Sequence, residues 1–162
     1  MAWDGASRAR SIRGTAIAGV GTVLVYAGKD LKSVDLGERI TSVAGSSPHS
    51  RPRVVATFKE GAAVQWVRLD PDDPQHFAKD LTDPRGAFTR DGLLALVSGR
   101  EGRIYDTGEH QVVLRAEFTI PVHPKGDPRI ACRPLSVVPG EKPNEFAVFV
   151  TDGRVFLYEV KE

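Results

Sequence analysis

The sequence predicts an all-β fold built from a repeated antiparallel hairpin. Four times along the chain, a short apolar run, a glycine-bearing turn and a second apolar run follow one another, which is the pattern of two paired strands. The four hairpins lie at residues 22–36, 53–69, 93–107 and 145–160. Because one hairpin cannot bury its apolar face alone, we expect an array of antiparallel, blade-like sheets that cover each other.

Composition and charge agree with one ordinary globular domain. The chain has 162 residues, of which 41% are hydrophobic and 27% charged, so one core is expected. No stretch keeps apolar residues at helical spacing for two turns, and the 16 glycines and 11 prolines indicate many turns. The net charge of +1 gives no electrostatic reason to expect nucleic acid or an anionic membrane as a partner.

Each hairpin is preceded by a candidate inner strand, so that four similar units follow one another. Residues 1–12 are predicted to be a flexible leader, and the units are predicted at 14–39, 40–84, 85–120 and 130–162 of a domain spanning 13–162. Residues 111–118 alternate apolar and polar side chains and predict an outer strand for the third unit. Residues 74–81 offer a weaker outer strand to the second unit, and the first unit has none.

The uncharged segment 14–28 has two interpretations. It follows a basic stretch, as a membrane anchor does, but a bilayer span needs about 20 consecutive apolar residues. Gly19, Gly21 and Thr22 interrupt this shorter run. We therefore predict two strands here, and a membrane-tethered domain anchored through 14–28 stays open as an alternative.

A short helix competes with strands at residues 31–44. Leu31, Val34, Ile40 and Val43 lie loosely at helical intervals there. Gly37 in the middle of the segment weakens the helix, because glycine is a poor helix former. We therefore expect β structure in this segment too.

The third unit carries a turn and a strand ending that can be compared with known repeats. Thr89–Gly92 precedes an apolar strand, and Tyr105 with Asp106 ends the next one. This pattern resembles a blade of a WD40-type β-propeller, which has a Ser-Pro-Asp-Gly turn and a strand ending in Trp-Asp. In the fourth unit, Tyr158 and Glu159 hold the position of Trp-Asp. The resemblance implies a partial or small β-propeller of about four blades.

Such a small number of blades raises the question of ring closure. Propellers typically have about 4 to 8 blades of four strands. A chain with about four blades forms an unusually small ring, or a partner chain or a longer polypeptide supplies the missing blades. We expect a protein partner or self-association to complete the propeller, because an open array leaves strand edges that proteins normally cover.

No residue pattern predicts catalysis, a cofactor or a metal. The four histidines are scattered, and none has a second ligand at a zinc-binding spacing. Asp70, Asp72 and Asp73 lack the intervals and the glycine of a calcium loop. Cys132 lies between Arg129 and Arg133, which could lower its pKa if it were exposed, but cysteine is more often buried. As a single cysteine it excludes an internal disulfide and favours a reducing, cytoplasmic location.

The function that remains is recognition. We predict a non-catalytic protein–protein interaction module or scaffold subunit, whose contacts come from loops held by rigid strands. The predicted partner-binding residues are the basic side chains Arg51, Arg53, Arg90, Arg100, Arg103, His123 and Lys125, because arginine is a frequent anchor of interfaces. A hydrolase or lyase with a site in the central channel is the alternative. Its inner strands would have to supply acids and bases, and they supply mainly hydroxyl and apolar groups.

Overall fold

The computed structural model describes residues 13–16, 22–27, 30–35, 38–46, 53–66, 74–108, 111–123 and 132–161, with the backbone alone described up to residue 35. These residues contain fourteen strands in four antiparallel sheets. In the same residues, no helix has the length and apolar character that crossing a bilayer requires. The predicted leader 1–12 lies outside the described residues.

The first sheet, blade 1, has three strands in the order β1-β2-β3. They are β1 (Arg13–Ala16), β2 (Thr22–Ala27) and β3 (Asp30–Asp35). The described parts of segment 14–28 are therefore paired strands, as predicted, and do not form an anchor helix. Residues 17–21, between β1 and β2, lie outside the described part. The helix that competes at 31–44 is absent from its described residues, since β3 occupies 30–35 and a further strand 42–45.

Blade 2 is a four-stranded sheet in the order β4-β5-β6-β7. Its strands are β4 (Ser42–Gly45), β5 (Arg53–Thr57), β6 (Glu60–Trp66) and β7 (Gln75–Thr82). All of β5 is buried and so is β6 after its first residue, because both faces of these central strands are covered. The pairing of β6 with β7 shifts register after Glu60, where Gly61 has a φ of +79°. A Cβ at this position would lie 2.8 Å from the Phe77 carbonyl oxygen, so the irregularity requires glycine.

Blade 3 is also four-stranded, and blade 4 has three strands in the described residues. Blade 3 is ordered β8-β9-β10-β11 from the inner edge, and blade 4 is ordered β12-β13-β14. The strands are β8 (Arg85–Phe88), β9 (Leu93–Ser98), β10 (Glu101–Asp106), β11 (Val113–Thr119), β12 (Pro134–Pro139), β13 (Glu145–Val150) and β14 (Val155–Glu159).

The first strands of the blades lie side by side around one axis. Strand β1 contacts β4, β4 contacts β8, and β8 contacts β12. No contact of comparable extent joins β12 back to β1 among the described strands. The predicted all-β, partial or small propeller is confirmed, and the described blades form an open arc.

Two hydrophobic clusters hold the blades face to face. The first joins Val55, Val64 and Trp66 of blade 2 to Leu94 and Tyr105 of blade 3. The second joins the opposite face of blade 3, with Ala95, Val97 and Ile104, to Phe146 and Val148 of blade 4. Blade 3 is thus buried on both faces, which accounts for its nearly continuous apolar strands.

The arc has two ends with different connections. The tight turns β5–β6, β9–β10 and β13–β14 lie at one end, which we call the hairpin end. The connections β4–β5, β8–β9 and β12–β13 lie at the other, which we call the loop end. This arrangement follows from the antiparallel order of each sheet.

Candidate interaction surfaces

At the loop end, Arg53 and Trp66 join blade 2 to blade 3. The two residues are register partners at the ends of β5 and β6. Arg53 is only 3% exposed, and its Nε donates to Thr107 Oγ1 at 2.6 Å. Trp66 Nε1 donates to the Thr107 carbonyl oxygen at 2.7 Å, so both side chains bind one residue after β10. We call Arg53, Trp66 and Thr107 the interblade clasp.

The guanidinium of Arg53 is satisfied inside the protein. Its Nη2 donates to the Gly92 carbonyl oxygen, and its Cζ lies 5.1 Å from the centre of the Phe88 ring. Burial lowers the pKa of Arg53, and the negative charge of Asp106 opposes this shift. Arginine nevertheless stays protonated in proteins, so the clasp contains a buried cation. Arg53 was predicted to bind a partner, and its position instead favours a role within the arc.

The turn Thr89–Gly92 connects β8 to β9 at the same end. Gly92 N donates to the Thr89 carbonyl oxygen at 3.1 Å, and Gly92 has a φ of +97°. Thr89 Oγ1 donates to Asp91 Oδ1. Asp91 N donates to the Pro143 carbonyl oxygen of blade 4 at 2.9 Å, so the turn touches the next blade. Arg90 lies exposed on this turn.

Arg103, on β10, fastens the outer strands of blades 2 and 3. Its Nη1 donates to Asp80 Oδ1 on β7 at 2.9 Å, and its Nε donates to Glu101 Oε1 at 2.9 Å. Glu117 Oε1 lies 3.4 Å from Nε. The bond to Asp80 raises the pKa of Arg103 and lowers that of Asp80. Arg103, a predicted partner contact, is therefore paired with carboxylates of its own chain.

Arg100 and His123 lie at the hairpin end, at the opposite end of blade 3 from Arg90. Arg100, in the exposed β9–β10 turn, donates from Nε to the Ile120 carbonyl oxygen at 2.8 Å. His123, three residues after Ile120, is half-buried. The predicted basic residues therefore do not form one patch. Arg51 and Lys125 lie outside the described residues.

A shallow depression opens beside Arg100. It has a volume of about 580 Å³ and is lined by Ser98, Arg100, Glu101, Glu117, Phe118 and Thr119. Its charges of both signs and its single aromatic ring do not favour one class of ligand. In the described residues, no three His, Cys, Asp or Glu side chains converge as metal ligands would.

The most distinctive surface is the flat side of blade 4 that points away from blade 3. Two cross-strand rows lie there, Val138–Ala147–Leu157 and Ser136–Phe149–Val155. The exposed fractions are 65% for Leu157, 54% for Val155, 38% for Phe149 and 37% for Val138. We call these two rows the uncovered face.

The rows equivalent to Val138–Ala147–Leu157 are covered in blades 2 and 3, with Ala44 partly exposed. In blade 3, row Ala87–Ala95–Ile104 takes the position of Val138–Ala147–Leu157, and blade 4 covers it. In blade 2, row Ala44–Val55–Val64 takes this position, and blade 3 packs against it. Residues at this register position therefore lie in a blade–blade interface in blades 2 and 3 and are exposed in blade 4.

This face was not predicted from the sequence. The signal was present, because both alternating sets of residues in β13 and β14 are apolar except for Glu145 and Glu159 at the loop end. Phe146 and Val148 alternate with Ala147 and Phe149, whereas a sheet with one solvated face alternates apolar and polar residues. Such a strand pair predicts burial on both faces, and the described chain covers only one.

Four radially arranged antiparallel sheets define a β-propeller-like protein. No family model and no curated protein matches the sequence. Solved structures share the architecture, among them selenomethionine-substituted virginiamycin B lyase from Staphylococcus aureus, with a TM-score of 0.52 and 15% identity. The match covers 88% of this chain and 50% of that chain, so this chain spans half the length of the lyase chain. At this identity the likeness concerns the fold.

Proposed function

We propose that this chain is a non-catalytic protein–protein interaction module, a scaffold subunit of the cytoplasm whose propeller a protein partner completes. The uncovered face carries this proposal. The face that a neighbouring blade covers in blades 2 and 3 is exposed on blade 4, and its two rows are apolar except for Ser136. Large contiguous apolar patches on soluble proteins are typical of interaction sites.

The repeats that build this module are of the WD40 type in this proposal. The turn Thr89–Gly92 supports it. A hydrogen bond between the side chains of Thr89 and Asp91 and the positive φ of Gly92 are compatible with the Ser-Pro-Asp-Gly turn of such repeats. Tyr105 is buried at the position of the tryptophan. Arg90 and Arg100 remain predicted polar contacts, one at each end of blade 3.

A propeller-type hydrolase or lyase is the weaker alternative. Near the start of the inner strand β4, Thr41 Oγ1 lies 2.9 Å and Ser42 Oγ 2.6 Å from Thr57 Oγ1. Hydroxyl groups bonded to one another are poor general acids and bases near neutral pH. The likeness to a lyase rests on the fold, and one fold serves many activities.

The size of the native complex tests the proposed function. Gel filtration of an extract from the native cell, with the chain detected by antibody, is expected to give a mass well above the 17.6 kDa of one chain. Leu157→Glu places a carboxylate on the uncovered face and is expected to shift the chain to lower mass. Leu114→Glu, on an exposed position of β11, is the matched control and leaves the complex intact. Elution of the unaltered chain as a free monomer would contradict the proposal.

A further inference from the structure

We infer that the partner is a second copy of this chain, and that two arcs of four blades close one eight-bladed ring. In this ring, the uncovered face of blade 4 in each copy packs on blade 1 of the other copy. The inference rests on the proposed function and names its partner.

The shape of the uncovered face specifies its occupant. Blades 3 and 4 meet through Ala87, Ala95, Val97 and Ile104 on one side and the β12–β14 sheet on the other. Row Val138–Ala147–Leu157 repeats row Ala87–Ala95–Ile104 of the first side, with alanine again on the second strand, and row Ser136–Phe149–Val155 lies beside it. A surface that repeats one side of a blade–blade interface is complementary to another blade.

Blade 1 has the register that the other side of this interface requires. Row Ala16–Val23–Val34 is paired across β1, β2 and β3. It occupies the register position of row Phe88–Leu94–Tyr105, through which blade 3 packs on blade 2. All three residues of the blade 1 row are apolar, and no blade of the described arc precedes blade 1.

Ring size and symmetry fit two copies. Eight blades lie within the typical range of about 4 to 8. A two-fold axis along the centre of the ring would give two identical blade 4–blade 1 interfaces, and closed two-fold dimers are the commonest soluble oligomers.

Sedimentation equilibrium of the purified chain tests the inference directly. We expect a dimer of twice 17.6 kDa, about 35 kDa. Leu157→Glu is expected to raise the dimer dissociation constant by about 100-fold or more, because a carboxylate would be buried at both interfaces. Leu114→Glu is expected to leave the constant unchanged, and circular dichroism and thermal unfolding of both variants check that the fold is kept.

A photo-crosslink determines which surface meets the uncovered face. With p-benzoylphenylalanine in place of Leu157, we expect intermolecular adducts on residues 22–35 of the other copy. Adducts on residues 145–159 would mean that two uncovered faces meet each other, and the ring would be excluded. A dimer that both glutamate variants leave unchanged would exclude it equally.

The outcome separates this inference from the proposed function. If the purified chain is monomeric while the native extract contains a larger complex sensitive to Leu157→Glu, the second copy is excluded and a different protein completes the propeller. If the native chain is also monomeric, the proposed function fails as well.

Discussion

Thr107 accepts hydrogen bonds from two side chains of the neighbouring blade, through its hydroxyl and its carbonyl oxygen. A residue outside any strand thus concentrates much of the polar contact between blades 2 and 3. The sequence gives no sign of this, because Arg53 follows a proline-bearing loop and resembles a solvated strand end. Its burial depends on Thr107 and Gly92, which are 54 and 39 residues away.

Replacement of Arg53 tests the clasp. Arg53→Ala leaves the Thr107 hydroxyl and the Gly92 carbonyl oxygen without this donor in a buried site, so we expect the free energy of unfolding to fall by about 2–4 kcal/mol. Urea unfolding followed by circular dichroism measures the change. The control is Arg90→Ala, an exposed turn position where about 0.5 kcal/mol or less is expected. Equal effects of the two substitutions would mean that the clasp contributes no stability.

At the level of elements, the hairpins could be predicted because their signal is local. Apolar runs and turn glycines lie within about fifteen residues of each other, and the strands β9, β10, β13 and β14 follow this pattern. The outer strands depend on distant contacts. Strand β7 was only weakly predicted, yet it spans eight residues because β6 pairs with it around the irregularity at Gly61.

Gly102, on β10, provides a test of the packing between strands. A Cβ at this position would overlap the ring of Phe118. The centre of this ring lies 5.5 Å from that of Phe146 and 4.4 Å from that of Tyr158, both in blade 4. Gly102→Ala is therefore expected to lower the free energy of unfolding by about 1–3 kcal/mol.

A double-mutant cycle with Phe118→Ala, measured by urea unfolding, is the control. In the Phe118→Ala background most of this cost should disappear, because the obstructing ring is gone. An unchanged cost in that background would assign the effect to the backbone and not to the ring.

At the scale of the whole molecule, three ion pairs are expected to contribute to the response to acid. Bonds from Arg103, Arg115 and Arg154 lower the pKa of Asp80, Asp106 and Asp152 respectively. Since these pKa values are lower in the folded than in the unfolded chain, the carboxylates stabilise the fold above the unfolded value of about 3.9. That stabilisation is lost as the pH falls through the folded values.

Urea unfolding between pH 8 and pH 3 tests this response. We expect the contribution of these carboxylates to be nearly constant above about pH 5 and to decline below about pH 4. Asp106→Asn retains an acceptor for Gly108 N but loses the charge that pairs with Arg115 Nη2 at 2.8 Å, so its decline should be smaller. A stability that increases from pH 4 to pH 3 would contradict the assignment.

The overall architecture could be predicted from repetition alone, whereas the open arc could not. Four units indicate about four blades, but ring closure depends on whether β12 reaches β1 in space. The exposure of one side of blade 4 likewise required the structure. There, blade 4 covers Ala95 and Ile104 of blade 3, and no described blade covers the equivalent residues of blade 4. Local sequence determines a blade, and the number of covered faces is a property of the assembly.

The turn Thr89–Gly92 has a consequence for how the arc can move. Through Gly92 it is bonded to Arg53 of blade 2, and through Asp91 to Pro143 of blade 4. Three successive blades are thus linked at one end by a four-residue segment. Hinge bending there would have to break bonds on both sides at once, so this turn restrains blades 2, 3 and 4 relative to one another at the loop end.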